Sequence, residues 1–351
     1  MKLGEKKERR KVLLVKFREL GGVAMTVPAV YDASIANPDV EFYFLTRHHE
    51  AELFINTPPN LTVLPVNLDN FSGFGGMRRL ASGLQKRYGI THMLDLQSDR
   101  DSMALRFLMR LKGVGVYGIN NGDRAKRELT RPHNKVLVQL KPQTHRDREV
   151  FYKAGIALAN DFDTVWGKDK GDPELFRTVS GTKQPGEHWL AVAPFARYRG
   201  KVYPLDQTER VIEYFSKRPG EKIFVLGYGD EECGKISKLA NRYPGVVNMA
   251  AADLGLAAEL ALLSHCDVML SMDAANMHLA SLVGLRVVSV WGATHPYTGF
   301  MGWRQRTRDV VQLDMTCRPC SVSGDRPCLR GDYHCLAGIT PKMVIDRLLG
   351  C

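Results

Sequence analysis

The chain has 351 residues, 44% of them hydrophobic and 25% charged, which is ordinary for a globular protein with room for two domains. No apolar run reaches the roughly 18 residues of a membrane helix, and the charged start, residues 1–11, lacks the apolar stretch of a signal peptide, so we expect a cytoplasmic protein. Its 49 Lys and Arg against 38 Asp and Glu give a net charge of +11, which favours anionic partners: nucleotide-sugars, phosphorylated glycolipids, an anionic membrane face or nucleic acid.

Strand patterns alternate with helical patterns through the first half of the chain. After a first strand comes the glycine turn Leu20–Gly22, then a helix with Thr26 as its N-cap and Pro28 in its first turn. Two more helices are predicted over 74–88 and 145–159. The strands of this half are predicted over 12–17, 41–46, 61–66, 91–96 and 114–119.

The periodicity breaks over 160–187, where Asp, Gly, Lys and Pro dominate, and we place an interdomain linker there. The alternation then resumes, and a closing helix over 341–349 follows the cap Thr340. The strands of the second half are predicted over 189–194, 222–226, 246–249, 268–271 and 287–291. Such alternation predicts an α/β fold of two doubly wound, Rossmann-like domains, residues 1–165 and 166–351, with a central cleft between them.

The segment Ser271–Gly284 is the most informative stretch of the chain. A strand leads into it, a second strand follows it, and a helix ending at the glycine lies between them. This order puts a helix N-terminus at the carboxyl edge of a parallel sheet, where backbone N–H groups and the helix dipole favour a phosphate. The N–H groups expected to face the phosphate are those of Ala274, Ala275 and Asn276. The segment therefore predicts a phosphate site, and it resembles the donor-nucleotide site of a sugar transferase.

Five segments resemble, in the right order, the motifs of one family. They are Met25–Ala29 after the first strand; Lys201–Pro204, similar to K-x-W-P; Gly227 with Glu231 and Glu232, similar to G-x-x-x-E; Asp273, His278, Leu279, Ala280 and Gly284, similar to D-S/T-G-x-x-H-L-A-A-x-x-G; and Trp291–Pro296, similar to G-x-T-x-P. The family is glycosyltransferase family 9, the lipopolysaccharide heptosyltransferases. The resemblance implies a GT-B fold, an acceptor site in the N-terminal domain, a nucleotide-sugar site in the C-terminal domain, and inverting transfer without a metal or other cofactor.

The leaving diphosphate needs positive charge, and one loop supplies it. Arg197, Arg199 and Lys201 follow the strand 189–194, so they are a candidate diphosphate clamp, with a solvated basic loop as the alternative. Asp273 would orient the turn because two anions repel, or it is simply the helix N-cap. His278 is a candidate donor to a phosphate or sugar oxygen, a role that the family motif favours.

On the donor side, the chain departs from the family motif at two positions, and two glutamates compete for one role. Family members carry Ser or Thr and then Gly or Ala after the aspartate, whereas this chain has Ala274 and Ala275, so a phosphate-binding hydroxyl is missing. Glu231 or Glu232 could bind the ribose diol, since a carboxylate accepts two hydrogen bonds. The alternative for both is an acidic first turn of a helix.

The acceptor side departs further from the family. The resemblance places the catalytic base in a G-D-V turn, but this chain has Gly21-Gly22-Val23, so Gly22 stands where that base is expected. Losing a positioned base costs about 10²–10⁴ in rate. Glu19 is a candidate substitute on the same loop. Further candidates, each with an ordinary polar role as the alternative, are Asp95, Asp99 and Asp101.

Two further segments have candidate roles. The basic loop 120–131 suits a phosphorylated sugar or lipid headgroup, unless it is a solvated basic face; its candidate acceptor-binding residues are Arg124, Lys126, Arg127 and Arg131. Four cysteines are spaced as in a structural zinc site, although thiols packed under a loop are the alternative. They are Cys317, Cys320, Cys328 and Cys335.

The sequence thus predicts an inverting, metal-independent glycosyltransferase that moves a sugar, heptose above all, from a nucleotide-sugar to a lipopolysaccharide core or related glycan. The expected partners are ADP-heptose, an anionic glycolipid acceptor and a peripheral contact with the inner membrane, and no nucleic acid. The alternative hypothesis is a catalytically impaired homologue that binds nucleotide-sugar without efficient transfer, because of Gly22.

Overall fold

The computed structural model describes residues 9–350, so the start of the chain and the unassigned Cys351 lie outside the described residues. The described chain divides into two compact units, each with its own parallel sheet. The first unit runs to Asn121 and resumes over Gln143–Phe162. The second unit consists of Gly122–Pro142 and everything from Asp163 onward.

The first unit has a five-stranded sheet in the order β3-β2-β1-β4-β5. Its strands are β1 (Lys11–Val15), β2 (Glu41–Thr46), β3 (Leu61–Pro65), β4 (His92–Asp95) and β5 (Gly115–Gly118). Its helices are α1 (Leu20–Ala36), α2 (His48–Ala51), α3 (Gly73–Tyr88), α4 (Arg100–Leu111) and α6 (Gln143–Lys153). The central strand β1 is an apolar run buried on both faces, as a parallel sheet covered by helices requires.

The second unit has a six-stranded sheet in the order β11-β10-β9-β6-β7-β8. Its strands are β6 (His188–Ala193), β7 (Glu221–Val225), β8 (Val246–Asn248), β9 (Val268–Met272), β10 (Val287–Val290) and β11 (Val310–Val311). Its helices are α5 (Asp123–Thr130), α7 (Arg177–Ser180), α8 (Leu205–Ser216), α9 (Gly229–Arg242), α10 (Leu256–His265), α11 (Ala275–Leu282), α12 (His334–Ala337) and α13 (Pro341–Leu349). The closing helix α13 begins after Thr340, whose side chain accepts a hydrogen bond from the N–H of Met343, as predicted.

The first helix begins earlier than the sequence predicted. α1 starts at Leu20, directly after Glu19, so Gly21 and Gly22 lie in its first turn. Thr26 is inside the helix, where its hydroxyl donates to the carbonyl of Val23, and it caps nothing. A Gly-Gly pair is an unfavourable helix start, so local propensity pointed to a turn, whereas the burial of residues 23–34 selects the longer helix.

The predicted linker over 160–187 is wrong for most of its length. From Asp163 the chain packs into the second unit: the N–H of Val165 donates to the carbonyl of Leu282, and that of Gly171 donates to the hydroxyl of Ser264. Phe176 is buried against Trp189. The buried side chains are separated by irregular polar turns, so they have no periodicity that a sequence pattern could reveal.

The basic segment 120–131 was predicted as a loop of the first domain. It contains the helix α5, and from Gly122 onward it belongs to the second unit. Within Gly122–Pro142, the ammonium of Lys135 donates to the carbonyls of Cys317 and Pro319, 2.7 and 2.6 Å away. The N–H of Leu140 donates to the carbonyl of Tyr297. The division between the units otherwise falls after Phe162, close to the predicted boundary at 165.

No helix among residues 9–350 is long and apolar enough to cross a membrane.

Candidate active site

The turn between β9 and α11 forms as the sequence predicted, at the carboxyl edge of the second sheet. Strand β9 ends at Met272, and α11 begins at Ala275. The first-turn N–H groups of Ala275 and Asn276 have no acceptor inside their own helix, so they are available to an anion. The N–H of Ala274 is not, because it donates to the carbonyl of Met272, 2.8 Å away. The expectation of three free N–H donors is therefore wrong at Ala274.

Asp273 pairs with Lys201 and does not cap the helix. The N-cap position belongs to Ala274, so the alternative that made Asp273 the N-cap is wrong. Its Oδ2 lies 3.1 Å from the Nζ of Lys201, with the carboxylate almost fully buried and the lysine side chain 17% exposed. Lys201 reaches it from the turn after β6, the strand that pairs with β9. The chain also closes over the lysine stem, since a Cβ on Gly324 would lie 2.7 Å from its Cγ.

His278 is a neutral, buried imidazole beside this pair. Burial lowers its pKa to about 4; Asp273 acts to raise the pKa and Lys201 to lower it. Within the described residues its Nδ1 has no hydrogen-bond partner, and neither has the hydroxyl of Thr294, which is fully buried in the loop after β10. Buried polar atoms are normally paired, so both are candidates for contact with a bound ligand.

The two arginines of the predicted clamp do not join Lys201 at Asp273. Arg199 is exposed and its guanidinium lies 4.9 Å from the ring centre of Tyr333. Arg197 is exposed and lies 5.3 Å from the ring centre of Tyr198. The structure thus brings one of the three cations, Lys201, to the turn before α11.

The two candidate ribose ligands differ in their surroundings. Glu232 lies against the turn after β7, where its Oε2 accepts a hydrogen bond of 2.8 Å from the N–H of Tyr228. Glu231 is 85% exposed and pairs with Lys235, which lowers the pKa of its carboxyl group. Of the two, Glu232 is the one held at the carboxyl edge of the sheet, and Glu231 has the ordinary role of a first-turn acid.

A carboxyl group that the sequence analysis missed lies beside the same turn. The hydroxyl of Tyr228 donates to Oε2 of Glu259, 2.8 Å away, while Oε1 is buried without a hydrogen-bond partner among the described residues. Burial raises the pKa of Glu259 to about 7, and the hydrogen bond from Tyr228 acts in the opposite direction. It lies on α10, outside all of the family motifs, so the sequence gave no indication of its role.

Arg318 is the second important residue that the sequence analysis missed. Its guanidinium is buried and donates to the carbonyls of Trp291, Gly292, Leu313 and Thr294. It therefore fixes the loop after β10 that presents Thr294. Its place between Cys317 and Cys320 was the available signal, because an arginine inside a predicted buried cysteine cluster needs acceptors.

The four cysteines of the tail line one small cavity together with Arg318 and Tyr333. All four are free thiols. Among residues 9–350, no three His, Cys, Asp or Glu side chains are arranged to hold a metal ion, so the geometry does not support a structural zinc site and favours the alternative of packed thiols. Burial raises the pKa of Cys335 to about 11, as expected of a thiol packed inside a loop.

In the first unit, Gly22 faces a buried lysine. A Cβ built on Gly22 would lie 3.4 Å from the Cε of Lys16 and 3.9 Å from its Nζ, which is ordinary van der Waals contact. Lys16 is only 8% exposed, and its ammonium donates to the carbonyl of Leu96, 2.8 Å away. Within the described residues no carboxylate pairs with it. The position of the expected base therefore lies in contact with the stem of an uncompensated cation.

Glu19 is the carboxylate next to that space. Its Cβ lies 3.6 Å from the position that a Cβ on Gly22 would take. The residue is exposed, has a left-handed backbone with φ of 65°, and stands at the start of α1. In the part of the chain that the structure describes, its carboxylate makes no hydrogen bond or ion pair.

The carboxylates of the other acidic candidates in the first unit already form hydrogen bonds or ion pairs. Asp95 is fully buried, accepts from the N–H groups of Gln97 and Ser98, and lies 3.2 Å from Arg106. Asp99 caps α4 by accepting from the N–H of its third residue. Asp101 pairs with Arg18 at 2.6 Å. These three have structural partners that Glu19 lacks.

The four predicted acceptor-binding cations lie on or next to α5, in the second unit. Lys126 is buried, with its ammonium 4.7 Å from the ring centre of Phe300. Arg124 pairs with Glu128 at 3.2 Å, and Arg127 and Arg131 are exposed. They do not form one cluster, because buried Lys126 faces an aromatic ring while the arginines face solvent.

The chain is similar to known sugar transferases in sequence and in fold. Residues 77–328, well over half of the chain, match the model of glycosyltransferase family 9 (heptosyltransferase). Lipopolysaccharide heptosyltransferase 1 of Pseudomonas aeruginosa is 25% identical over 340 residues, which is 88% of this chain and 86% of that protein. Among solved structures, the family 9 glycosyl transferase from Veillonella parvula aligns with a TM-score of 0.72 at 14% identity, covering 99% of this chain and 100% of that one.

The E. coli heptosyltransferase WaaC, solved with ADP, aligns with a TM-score of 0.62 at 20% identity, covering 90% of this chain and 95% of that one. These likenesses confirm the predicted fold of two parallel-sheet, Rossmann-like domains. The chain therefore belongs to glycosyltransferase family 9, the heptosyltransferase family, and is a glycosyltransferase of the GT-B fold.

Proposed function

We propose that this protein transfers heptose from ADP-heptose to an anionic glycolipid acceptor of the lipopolysaccharide core, with inversion at the anomeric carbon and without a metal. The donor binds the second unit at the turn between β9 and α11, and the acceptor binds the first unit. Contact with the cytoplasmic face of the inner membrane, where such an acceptor is accessible, belongs to the proposal.

The observation that carries the proposal is the set of polar groups around Asp273. Lys201 supplies positive charge and α11 supplies free N–H groups. Within residues 9–350, the Nδ1 of His278 and the hydroxyl of Thr294 are buried without a hydrogen-bond partner. Together they offer the diphosphate a cation and several hydrogen-bond donors, which take over the neutralising role that a metal would otherwise have. Because His278 is neutral, it acts as a hydrogen-bond partner and not as a second cation.

An inverting displacement proceeds in one step, without a covalent intermediate between the sugar and the enzyme. The acceptor hydroxyl attacks the anomeric carbon, the bond to the diphosphate breaks, and the hydroxyl proton passes to a base. We assign that base to Glu19. It is the carboxylate beside the Gly22 position, it has no protein partner among the described residues, and a glutamate side chain is one methylene longer than the missing aspartate.

The direct test is transfer of heptose from ADP-heptose to a lipid A–inner core acceptor by the purified protein. We expect product with inverted configuration in the presence of a metal chelator. Absence of both transfer and donor hydrolysis, with ADP-heptose and with a panel of other nucleotide-sugars, would contradict the proposal.

Two substitutions test the base. Glu19→Gln should lower kcat by about 10²–10⁴ with little change in donor KM. Gly22→Asp should restore much of that rate in the Glu19→Gln background, because a Cβ there meets only van der Waals contacts and lies 3.9 Å from the ammonium of Lys16. Asp101→Asn is the control, since that carboxylate is paired with Arg18.

The second candidate function is a nucleotide-sugar-binding homologue with impaired transfer, which Gly22 favours. It predicts that the natural chain binds ADP yet turns over slowly, that Glu19→Gln changes nothing, and that Gly22→Asp alone raises the rate strongly. A natural chain that already turns over well contradicts it.

A further inference from the structure

Helices α3 and α4 form one outward face of the first unit, and among the described residues no element of that unit covers it. The buried sides of both helices belong to one hydrophobic core with the sheet, through residues such as Leu80 and Leu84 on α3 and Leu105 and Leu108 on α4. The helices also contact each other, so their outer sides point away from the sheet together.

The outer side of α4 carries a row of large apolar side chains. Met103, Phe107 and Leu111 follow one another at intervals of four residues, so they lie along one side of the helix. They are 49%, 53% and 69% exposed. Phe74, at the start of α3, is 59% exposed. Four large apolar side chains in water on two adjacent helices indicate a binding surface.

The same two helices carry an excess of positive charge. Within the described residues, seven exposed cations on or next to them form no ion pair: Arg78, Arg79, Lys86, Arg87, Arg100, Arg110 and Lys112. Helix α3 contains no acid, and the acid of α4, Asp101, is neutralised by Arg18. The face therefore combines an apolar row with unpaired cations.

We propose that the α3–α4 face docks on a lipid bilayer that carries anionic headgroups, an inference that rests on the membrane contact of the proposed function and assigns that contact to one surface. Phe107, Leu111 and Met103 enter the boundary between headgroups and acyl chains, while the flanking cations contact the headgroups. An apolar row with basic flanks is the pattern of helices that lie in a membrane interface.

Charge decides among the possible occupants of this face. A second copy of the chain would bring two sets of unpaired cations together, which repels. A nucleic acid would satisfy the cations but leave the apolar row in water. An anionic bilayer satisfies both features at once.

The test is sedimentation of the full chain with vesicles, which needs neither sugar donor nor acceptor and is therefore independent of the proposed transfer activity. The probes are vesicles of phosphatidylglycerol mixed with phosphatidylcholine, and vesicles of phosphatidylcholine alone. We expect binding to the former only, weakening as salt rises.

Two variants separate the contributions. Arg78→Glu with Lys86→Glu should weaken the partition coefficient at least about 20-fold, because each cation near a charged bilayer contributes about fivefold. Phe107→Ser with Leu111→Ser should also weaken binding while its salt dependence stays. All four side chains are exposed, so the fold should survive, and circular dichroism verifies this.

Matched controls lie in the second unit. Lys217→Glu with Lys238→Glu makes the same change of charge, and Leu329→Ser removes an apolar side chain that is 68% exposed. The proposal is overturned if the natural chain ignores anionic vesicles, or if the controls weaken binding as much as the α3–α4 variants. It is equally overturned if light scattering shows a dimer that Phe107→Ser with Leu111→Ser dissociates, because a second copy then occupies the face.

Discussion

At the scale of single residues, we expect Lys201 and Asp273 to have opposite effects on binding of the proposed donor. Asp273→Asn should keep the affinity for ADP, because it removes a buried negative charge and leaves the lysine cation in place. Adding Lys201→Met to that variant should lower the affinity by about 10–100-fold, the range expected for a lost hydrogen bond to a charged group. Titration calorimetry with ADP measures both.

The double variant avoids a complication of the single Lys201→Met change, which would leave a buried carboxylate unpaired and cost about 3–5 kcal/mol of stability. Arg197→Met is the control, since that side chain is exposed and lies against Tyr198. Equal ADP affinities for Asp273→Asn and the double variant would remove Lys201 from the diphosphate site.

Glu259 gives the protein a predictable dependence of stability on pH. Its pKa rises from an ordinary 4.5 to about 7 in the folded state, so between these values the folded chain holds a proton that the unfolded chain has released. Stability must therefore fall as pH rises from about 4.5 to about 7 and then level off. Glu259→Gln should remove this fall. Between pH 5 and pH 8, the free energy of unfolding of the variant should therefore increase relative to that of the natural chain, by up to about 3 kcal/mol.

Urea unfolding at pH 5, 6.5 and 8 checks this prediction. The exposed Glu231, whose pKa is lowered by Lys235, supplies the control Glu231→Gln, which should show a small change of the opposite sign. A pH profile that is the same in the natural chain and in Glu259→Gln would contradict the buried carboxyl as its source.

At the scale of elements, the loop after β10 depends on one side chain. Arg318→Ala removes the hydrogen-bond donor from four carbonyls. Because each buried carbonyl without a partner costs about 1–3 kcal/mol, we expect the free energy of unfolding to fall by at least about 4 kcal/mol. Arg318→Lys should recover part of it, because an ammonium cannot span the four acceptors. Thermal and urea unfolding measure both changes.

Arg330→Ala is the matched control in the same segment. That arginine is exposed and pairs with Asp332 at 3.0 Å, so its loss should change the stability far less than the loss of Arg318 does. If Arg318→Ala were no more destabilising than this control, the loop would be fixed by other contacts.

At the scale of the whole molecule, the two units have separate hydrophobic cores. ADP at 100 times its Kd should stabilise the folded state that binds it by about 2.7 kcal/mol. We expect hydrogen exchange to slow in β9, α11 and the loop after β10, with the smallest changes in the first unit. Protection confined to the first unit would contradict the assignment of the donor to the second.

The resemblance to family 9, the parallel sheets and the turn before α11 could all be predicted from the sequence. Each depends on contiguous residues: the run Val268–Met272 is apolar except for Ser271, as a strand buried on both faces requires, and the turn follows it directly. The family motifs likewise fall within short segments. The start of α1 and the packing of 163–180 could not be predicted, because burial by distant residues overrides the local preference of Gly21-Gly22 and of the polar turns.

The site residues divide in the same way. The residue types at Asp273, His278 and Lys201 followed from the sequence alone, as did the absence of a carboxylate at Gly22. Their partners did not: the pairing of Asp273 with Lys201, the contact of Lys16 with the Gly22 position, the role of Arg318 and the enclosed Glu259 join residues far apart in the chain. By itself the sequence determined the family, the fold class and the absence of a carboxylate at position 22, because these are properties of local patterns. Only the tertiary structure decided which charges are neutralised and which remain free, because that depends on burial and on distances between segments that folding alone brings together.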